Sequence, residues 1–117
     1  MNEEKRYDIV DFTAVDPVKC PCGFSRRAFT TTPGSLASYH VVDIQKDAQL
    51  HYHKNHIEIY YILDGEGFME LDNEKIPVKP GMSVYIQKYC RHRALGALKI
   101  ANVSIPVFDP IQLHMGF

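Results

Sequence analysis

From residue 24 onward, apolar and polar positions alternate in short runs cut by turn residues. A period of two sends successive side chains to opposite faces of an extended chain, and no segment holds a 3.6-residue period beyond two turns. The pattern predicts strands at residues 24–30, 38–45, 50–53, 57–63, 67–71, 75–79, 83–87, 92–95 and 98–107. Turns fit at Pro33-Gly34, Asp64-Gly65, Asp72-Asn73 and Pro80-Gly81. Residues 68–71 and 75–78 read as a hairpin across Asp72-Asn73, and Pro77, lacking an N–H, belongs at an edge or irregular position. Many short strands without helices imply an all-β barrel or sandwich. Residues 1–22 are of mixed character and form an N-terminal extension, with a candidate extra strand at 7–12 that would serve as a dimer contact. Residues 23–117 form the single β-barrel domain.

Residues 57–63 depart from simple alternation. Ile57, Ile59, Tyr61 and Leu63 make one face apolar, and Tyr60 and Ile62 make the other apolar around Glu58. A strand apolar on both faces is covered on both. The barrel interior covers one, and a second sheet or a second subunit covers the other, so a homodimer is expected.

The chemistry concentrates at residues 51–67. His51 and His53 are two apart on a predicted strand and share a face, with Tyr52 turned away. Two imidazoles and the nearby Glu58 carboxylate outline a divalent-metal site, with His92 as the candidate fourth ligand. Such a set suits one iron, manganese, nickel, cobalt, copper or zinc ion. Four protein ligands leave open positions only on a five- or six-coordinate metal.

The chain has 117 residues, 45% of them hydrophobic, and a formal net charge of −1. That is one domain's length with enough apolar residues for a core. No broad basic field is present, which argues against nucleic acid, and no apolar run approaches a bilayer span. The charged start, MNEEKRYD, lacks the apolar stretch of a signal peptide, so a cytoplasmic location is expected. The three cysteines, Cys20, Cys22 and Cys90, do not make a disulfide framework. Cys20-Pro21-Cys22-Gly23 reads as a turn with free thiols.

With those residues in view, the chain resembles the cupin family. The first cupin motif is a histidine, any residue, a histidine, three or four residues, a glutamate, six residues and a glycine. His51, His53, Glu58 and Gly65 match it in full. Of the second motif, Gly81 and His92 are in register, while Gln87, Tyr89 and Gly96 replace its proline, second glycine and asparagine. Gln45 stands where the first motif usually opens with glycine. The resemblance covers roughly residues 35–107. It implies a double-stranded β-helix, the jelly-roll barrel of a single cupin domain, with His51, His53, Glu58 and His92 binding one divalent metal in the barrel mouth. It also implies a homodimer.

Other residues are candidates for the same mouth. His40 shares strand parity with Val42 and Ile44 and points inward as a hydrogen-bonded histidine. His56, in the turn before Glu58, is expected at the surface, with proton transfer near the mouth as its sharper role. His40, His56 and Tyr60 are the candidate catalytic groups. Of Arg26 and Arg27, one faces in, where a guanidinium would suit a carboxylate or phosphate. Asn102 shares a face with Ser104 and, with the two arginines, is a candidate substrate-binding residue. Arg91 and Arg93 have parity opposite to His92 and point away from the metal. Tyr60, Tyr85 and Phe108 are candidate pocket walls. The leading expectation is a metal-dependent oxidoreductase of dioxygenase type on a small organic acid or phenolic compound. The alternatives are a metal-dependent sugar or keto-acid isomerase or epimerase, and a small-molecule binding module without turnover.

Overall fold

The structure, a computed structural model, describes residues 5–109 and 113–115. Among them every regular element is a strand except one 3-10 turn, Phe12–Ala14. The strands are β1 (Val18–Cys20), β2 (Gly23–Ala28), β3 (Ser38–Ile44), β4 (His51–His53), β5 (Ile57–Gly65) and β6 (Gly67–Leu71). They continue as β7 (Glu74–Val78), β8 (Ser83–Ile86), β9 (His92–Leu95), β10 (Leu98–Ile105) and β11 (Leu113–Met115). One antiparallel sheet has six strands in the order β1-β2-β3-β10-β5-β8, and the other has five in the order β11-β4-β9-β6-β7. From β3 to β11 the chain passes repeatedly between the sheets, the path of a jelly-roll barrel. No helix among the described residues is long and apolar enough to cross a membrane.

Register in the six-stranded sheet places the inward residues in rows. Leu98 lies between Ile44 and Gly65, and Ile100 between Val42 and Ile62. Asn102 lies between His40 and Tyr60, and Ser104 between Ser38 and Glu58. Arg27 extends the third row, paired with His40. The first two rows join Met69, Val78, Ile86 and Ala94 in the apolar core. Burying one such aliphatic side chain stabilises the fold by about 1.5–3 kcal/mol.

The expected strands form, with ends that local chemistry moves. Strand β2 stops at Ala28 because Phe29 takes a left-handed backbone (φ 65°). Strand β10 stops at Ile105, before Pro106, which cannot donate to the ladder. Asp64-Gly65 is not a turn. Strand β5 runs through Gly65, and at Glu66 the chain passes without reversing into β6 of the other sheet, Gly65 facing Leu98 and Phe68 facing Leu95. Gly65 has φ +90°, and a Cβ there would collide with the Ala97 carbonyl. The hairpin across Asp72-Asn73 is present, and Pro77 lies in β7, an edge strand.

The candidate strand at 7–12 does not form. Asp8 accepts from the Ile9 N–H at 2.9 Å, and Asp11 accepts from the Thr13 N–H at 2.9 Å and its hydroxyl at 2.7 Å. Those bonds divert the backbone into a capped turn. The extension instead supplies β1, which pairs with β2. Phe12 stacks against Tyr39 on the outer face of the larger sheet, ring centroids 5.8 Å apart. The inward face of β5 is buried as expected. On its outward face, Tyr61 and Leu63 remain 48% and 42% exposed in the single chain.

Candidate metal centre

Three histidines come from the smaller sheet and a carboxylate from the larger. Strands β4 and β9 are neighbours with His51 opposite His92, which brings their rings to 4.3 Å. His53, two residues along β4, shares the face of His51. Glu58 enters on β5 from the facing sheet. One donor atom from each of His51, His53, Glu58 and His92 lies within 4.8 Å of all the others, and all four residues are buried.

The protons are already arranged for a cation. His51 Nδ1 is 2.8 Å from the Gln49 carbonyl, and His92 Nδ1 is 2.8 Å from the Cys90 carbonyl. A carbonyl only accepts, so each Nδ1 carries the hydrogen and each Nε2 keeps its lone pair. Glu58 Oε1 is 2.7 Å from His53 Nε2 and 3.2 Å from His92 Nε2. Neither Glu58 Oε1 nor His92 Nε2 makes a hydrogen bond. Asn102 Nδ2 donates to the other oxygen, Glu58 Oε2. Burial, and then the neighbouring His92, pushes His51 down to about 4. Burial alone would raise Glu58, but its contacts with His53 and His92 outweigh that and hold it well below its usual value. Neutral imidazole and ionised carboxylate are the forms that ligate, and four buried donor atoms within 4.8 Å of one another fit a divalent transition metal.

A cavity of about 40 Å³ opens onto this cluster and is lined by Arg27, His40, Tyr60, Asn102 and Phe108 among others. Arg27 is the inward member of its pair. Its guanidinium sits over the Phe108 ring at 4.6 Å, and its Nε is buried without a hydrogen-bond partner. Burial lowers its pKa. His40 is buried, as expected. Its Nε2 is 2.8 Å from Ser38 Oγ, which also accepts the Phe108 N–H at 2.9 Å. Burial pushes His40 down to about 4. Burial, and then Glu58, raises Tyr60 well above its ordinary value, so its hydroxyl stays protonated.

Several expectations need correction. His56 is buried at 2% exposure rather than at the surface. The short connection after β4 folds it back onto His53, ring centroids 4.0 Å apart, with the Phe108 ring centroid 5.8 Å away in an edge-on arrangement. Arg26 faces outward and bonds Asp43 at 3.3 Å and the Val15 carbonyl at 3.0 Å, so it does not reach the cavity. Tyr85 is 56% exposed on the outer face and does not line this cavity. Asn102 does line the cavity, and its amide holds Glu58. Arg91 and Arg93 point away as expected, Arg91 over Tyr52 and Arg93 on Glu70 at 2.7 Å. Cys20 and Cys22 are joined as a disulfide rather than free, because the two-residue turn between β1 and β2 brings their Cα atoms to 5.1 Å.

Sequence reasoning missed the supports. Gln49 and Cys90 each stand two residues before a ligand histidine and offer it a carbonyl, a repeated spacing visible in the sequence. Ser38 stands two residues before His40 on the same face. Phe108 was a candidate pocket wall and does line the cavity, but nothing local placed its ring over Arg27 and beside His56.

The family model of the cupin domain matches residues 39–97, half of the chain. The protein belongs to the cupin family. It is 45% identical over 73 residues to the uncharacterized protein MJ1618 of Methanocaldococcus jannaschii, covering 59% of this chain and 58% of that one. It is 35% identical over 75 residues to the L-ectoine synthase of Aliivibrio fischeri, covering 62% of this chain and 59% of the synthase. The chain thus spans less than two thirds of the length of these curated relatives. A crystal structure of a protein from Planctomyces limnophilus superposes with a TM-score of 0.88 at 33% identity, covering 93% of this chain and 96% of that one.

Proposed function

We propose that this protein is a metal-dependent enzyme acting on a small carboxylate-bearing substrate, with His51, His53, Glu58 and His92 holding one divalent iron, manganese, nickel, cobalt, copper or zinc ion. The observation that carries this reading is Arg27, half-buried, its Nε buried without a hydrogen-bond partner, in the same cavity as His51, His53 and Glu58. When bound, the metal supplies Lewis-acid polarisation of a carbonyl or, if redox-active, electron exchange with dioxygen.

The chain's own residues do the rest. The Arg27 fork takes the carboxylate and sets the substrate's orientation, while Phe108 keeps the guanidinium in place. His40, neutral at pH 7 and fixed by Ser38, accepts or returns a proton. The Tyr60 hydroxyl donates. Asn102 holds the Glu58 carboxylate. These proton-handling groups favour isomerase or lyase chemistry over the dioxygenase-type reaction expected first. The similarity to L-ectoine synthase supports the same side. The oxygenase reading stays as the second, because four protein ligands leave room on a six-coordinate metal for substrate and dioxygen.

Loaded protein under argon, in heavy water, with candidate hydroxy and keto acids, tests the first reading. Deuterium incorporation without oxygen uptake is expected. Turnover that stops under argon would replace it with the oxygenase. Tight binding of a metabolite without product would make this a binding module. Arg27→Ala is expected to weaken carboxylate binding by about 10- to 100-fold.

We also take the protein as a cytoplasmic homodimer without a nucleic-acid partner. A second copy would cover Tyr61, Leu63, Tyr85 and Ile105, which are 40–56% exposed. The extension, residues 1–22, would border that contact through Phe12. Light scattering giving only a 13.4 kDa species would count against the dimer.

A further inference from the structure

The reading above makes no use of the Cys20–Cys22 pair. Both cysteines and Pro21 line the cavity that opens onto the candidate metal site. A disulfide stabilises a fold mainly by restricting a long loop in the unfolded chain, and this one encloses a single residue. Its position therefore matters more than its stabilising effect. Cys22 packs against the apolar core. The Pro21 carbonyl accepts the Gln49 N–H at 2.8 Å, and the carbonyl of the same Gln49 holds Nδ1 of His51. Two hydrogen bonds thus connect the disulfide turn to a ligand histidine. Gly23, at φ +126° with the Asp43 backbone against it, pins the far end of the turn. Freedom released on opening falls on Cys20 and Pro21.

We propose that Cys20–Cys22 is a reversible thiol–disulfide site whose co-reactant is a low-molecular-weight thiol, and that its closed form steadies His51. The second half rests on the metal reading and the first does not. An external thiolate entering the mouth attacks Cys20 Sγ. The Cys20–Cys22 bond breaks, and its electron pair leaves on Cys22 Sγ. A second thiolate attacks the external sulfur of the mixed disulfide and releases Cys20. Two external thiols are oxidised to one disulfide, the pair gains two electrons, and the two protons lost by the thiols end on Cys20 and Cys22. Arg27, the guanidinium lining the same cavity, favours the thiolates formed on the way.

The test equilibrates the full chain with graded mixtures of reduced and oxidised glutathione, then quenches, denatures, alkylates and maps the peptides. Cys20 and Cys22 are expected to pass together from blocked to labelled as the thiol fraction rises, while Cys90 is labelled throughout. Labelling of both in oxidised glutathione would overturn the proposal. So would a pair that stays blocked in excess thiol until the protein unfolds. Cobalt titration followed by its visible absorption reads the coupling. The reduced protein is expected to bind about tenfold more weakly than the oxidised protein, the lower end of effects from groups that support a ligand. Cys20→Ser with Cys22→Ser should match the reduced form if it folds, and the reduced natural chain serves if it does not. Equal affinity in the two states would overturn the coupling and leave the exchange standing. No cobalt bound in either state would overturn the metal reading and the coupling together.

Discussion

The two ends of the barrel are built by the same strands and obey opposite rules. Along β10 the inward residues read Leu98, Ile100, Asn102, Ser104. Along β3, in the antiparallel direction, they read Ile44, Val42, His40, Ser38, and along β5 they read Ile62, Tyr60, Glu58. Each strand passes from aliphatic to polar at nearly the same height, and all of these side chains are buried. At the aliphatic end, excluding water is enough to stabilise the packing. At the polar end, burial costs free energy unless every lone pair and hydrogen finds a partner. Most do: Asn102 with Glu58, His40 with Ser38, His51 with Gln49, His92 with Cys90. Of the six among the described residues that do not, Glu58 Oε1 and His92 Nε2 converge on one point and Arg27 Nε lies in the adjoining cavity, while His53 Nδ1, His56 Nε2 and Asn102 Oδ1 complete the set. The comparison teaches that one end holds the barrel together and the other is organised around something it binds.

Removing His51 and His53 together, each to Ala, should separate the two ends most sharply. Metal content of purified protein is expected to fall from about one ion per chain to background, with the far-ultraviolet dichroism of a β-protein retained. Full metal content would mean that the ligands are elsewhere. The converse change is Ile62→Ala at a site with 0% exposure. It should lower unfolding free energy by about 2–5 kcal/mol in denaturant titration and leave metal stoichiometry unchanged. A loss of metal in that variant would join the two ends energetically and end the division drawn above. Asn102→Ala touches the boundary. It frees Glu58 Oε2 and should weaken metal affinity by about 10- to 100-fold, with a smaller effect on unfolding.

The gentlest probe is acid applied to metal-free protein. His40, His51 and His56 each sit near 4 when folded, below the ordinary 6.5, because burial disfavours their charged forms. Between those values the unfolded chain binds more protons than the folded one. Stability is therefore full above about pH 6.5 and declines as pH falls toward 4, by at most about 1.4 kcal/mol per pH unit for each imidazole. Denaturation midpoints that stay flat across that window would show that these imidazoles are solvated in the absence of metal.

The motif residues were legible because strand parity is local. His51 and His53 share a face whatever surrounds them, and the match to the cupin motif extended that to Glu58 and His92. The inward parity of His40 was legible for the same reason. His56 was misjudged because a turn residue has no parity to read. Its burial comes from Phe108, more than fifty positions away. Arg26 and Arg27 were known to oppose each other, but which one faced inward depended on the pairing of β2 with β3. The pairing of Cys20 with Cys22 followed from β1, a three-residue strand too short to announce itself by periodicity.

By itself, the sequence determined the all-β class, most strands and the shared face of His51 and His53, because alternation and turn chemistry act over a few neighbouring residues, and the resemblance to the cupin motif added Glu58 and His92 to the candidate metal site. Only the tertiary structure decided that Arg27 shares a cavity with His51, His53 and Glu58, that Asn102 braces Glu58, and that Phe108 and a disulfide turn line the same cavity. Those contacts join segments distant along the chain. Their register is set by sheet pairing and water exclusion over the whole barrel, and no local pattern encodes it.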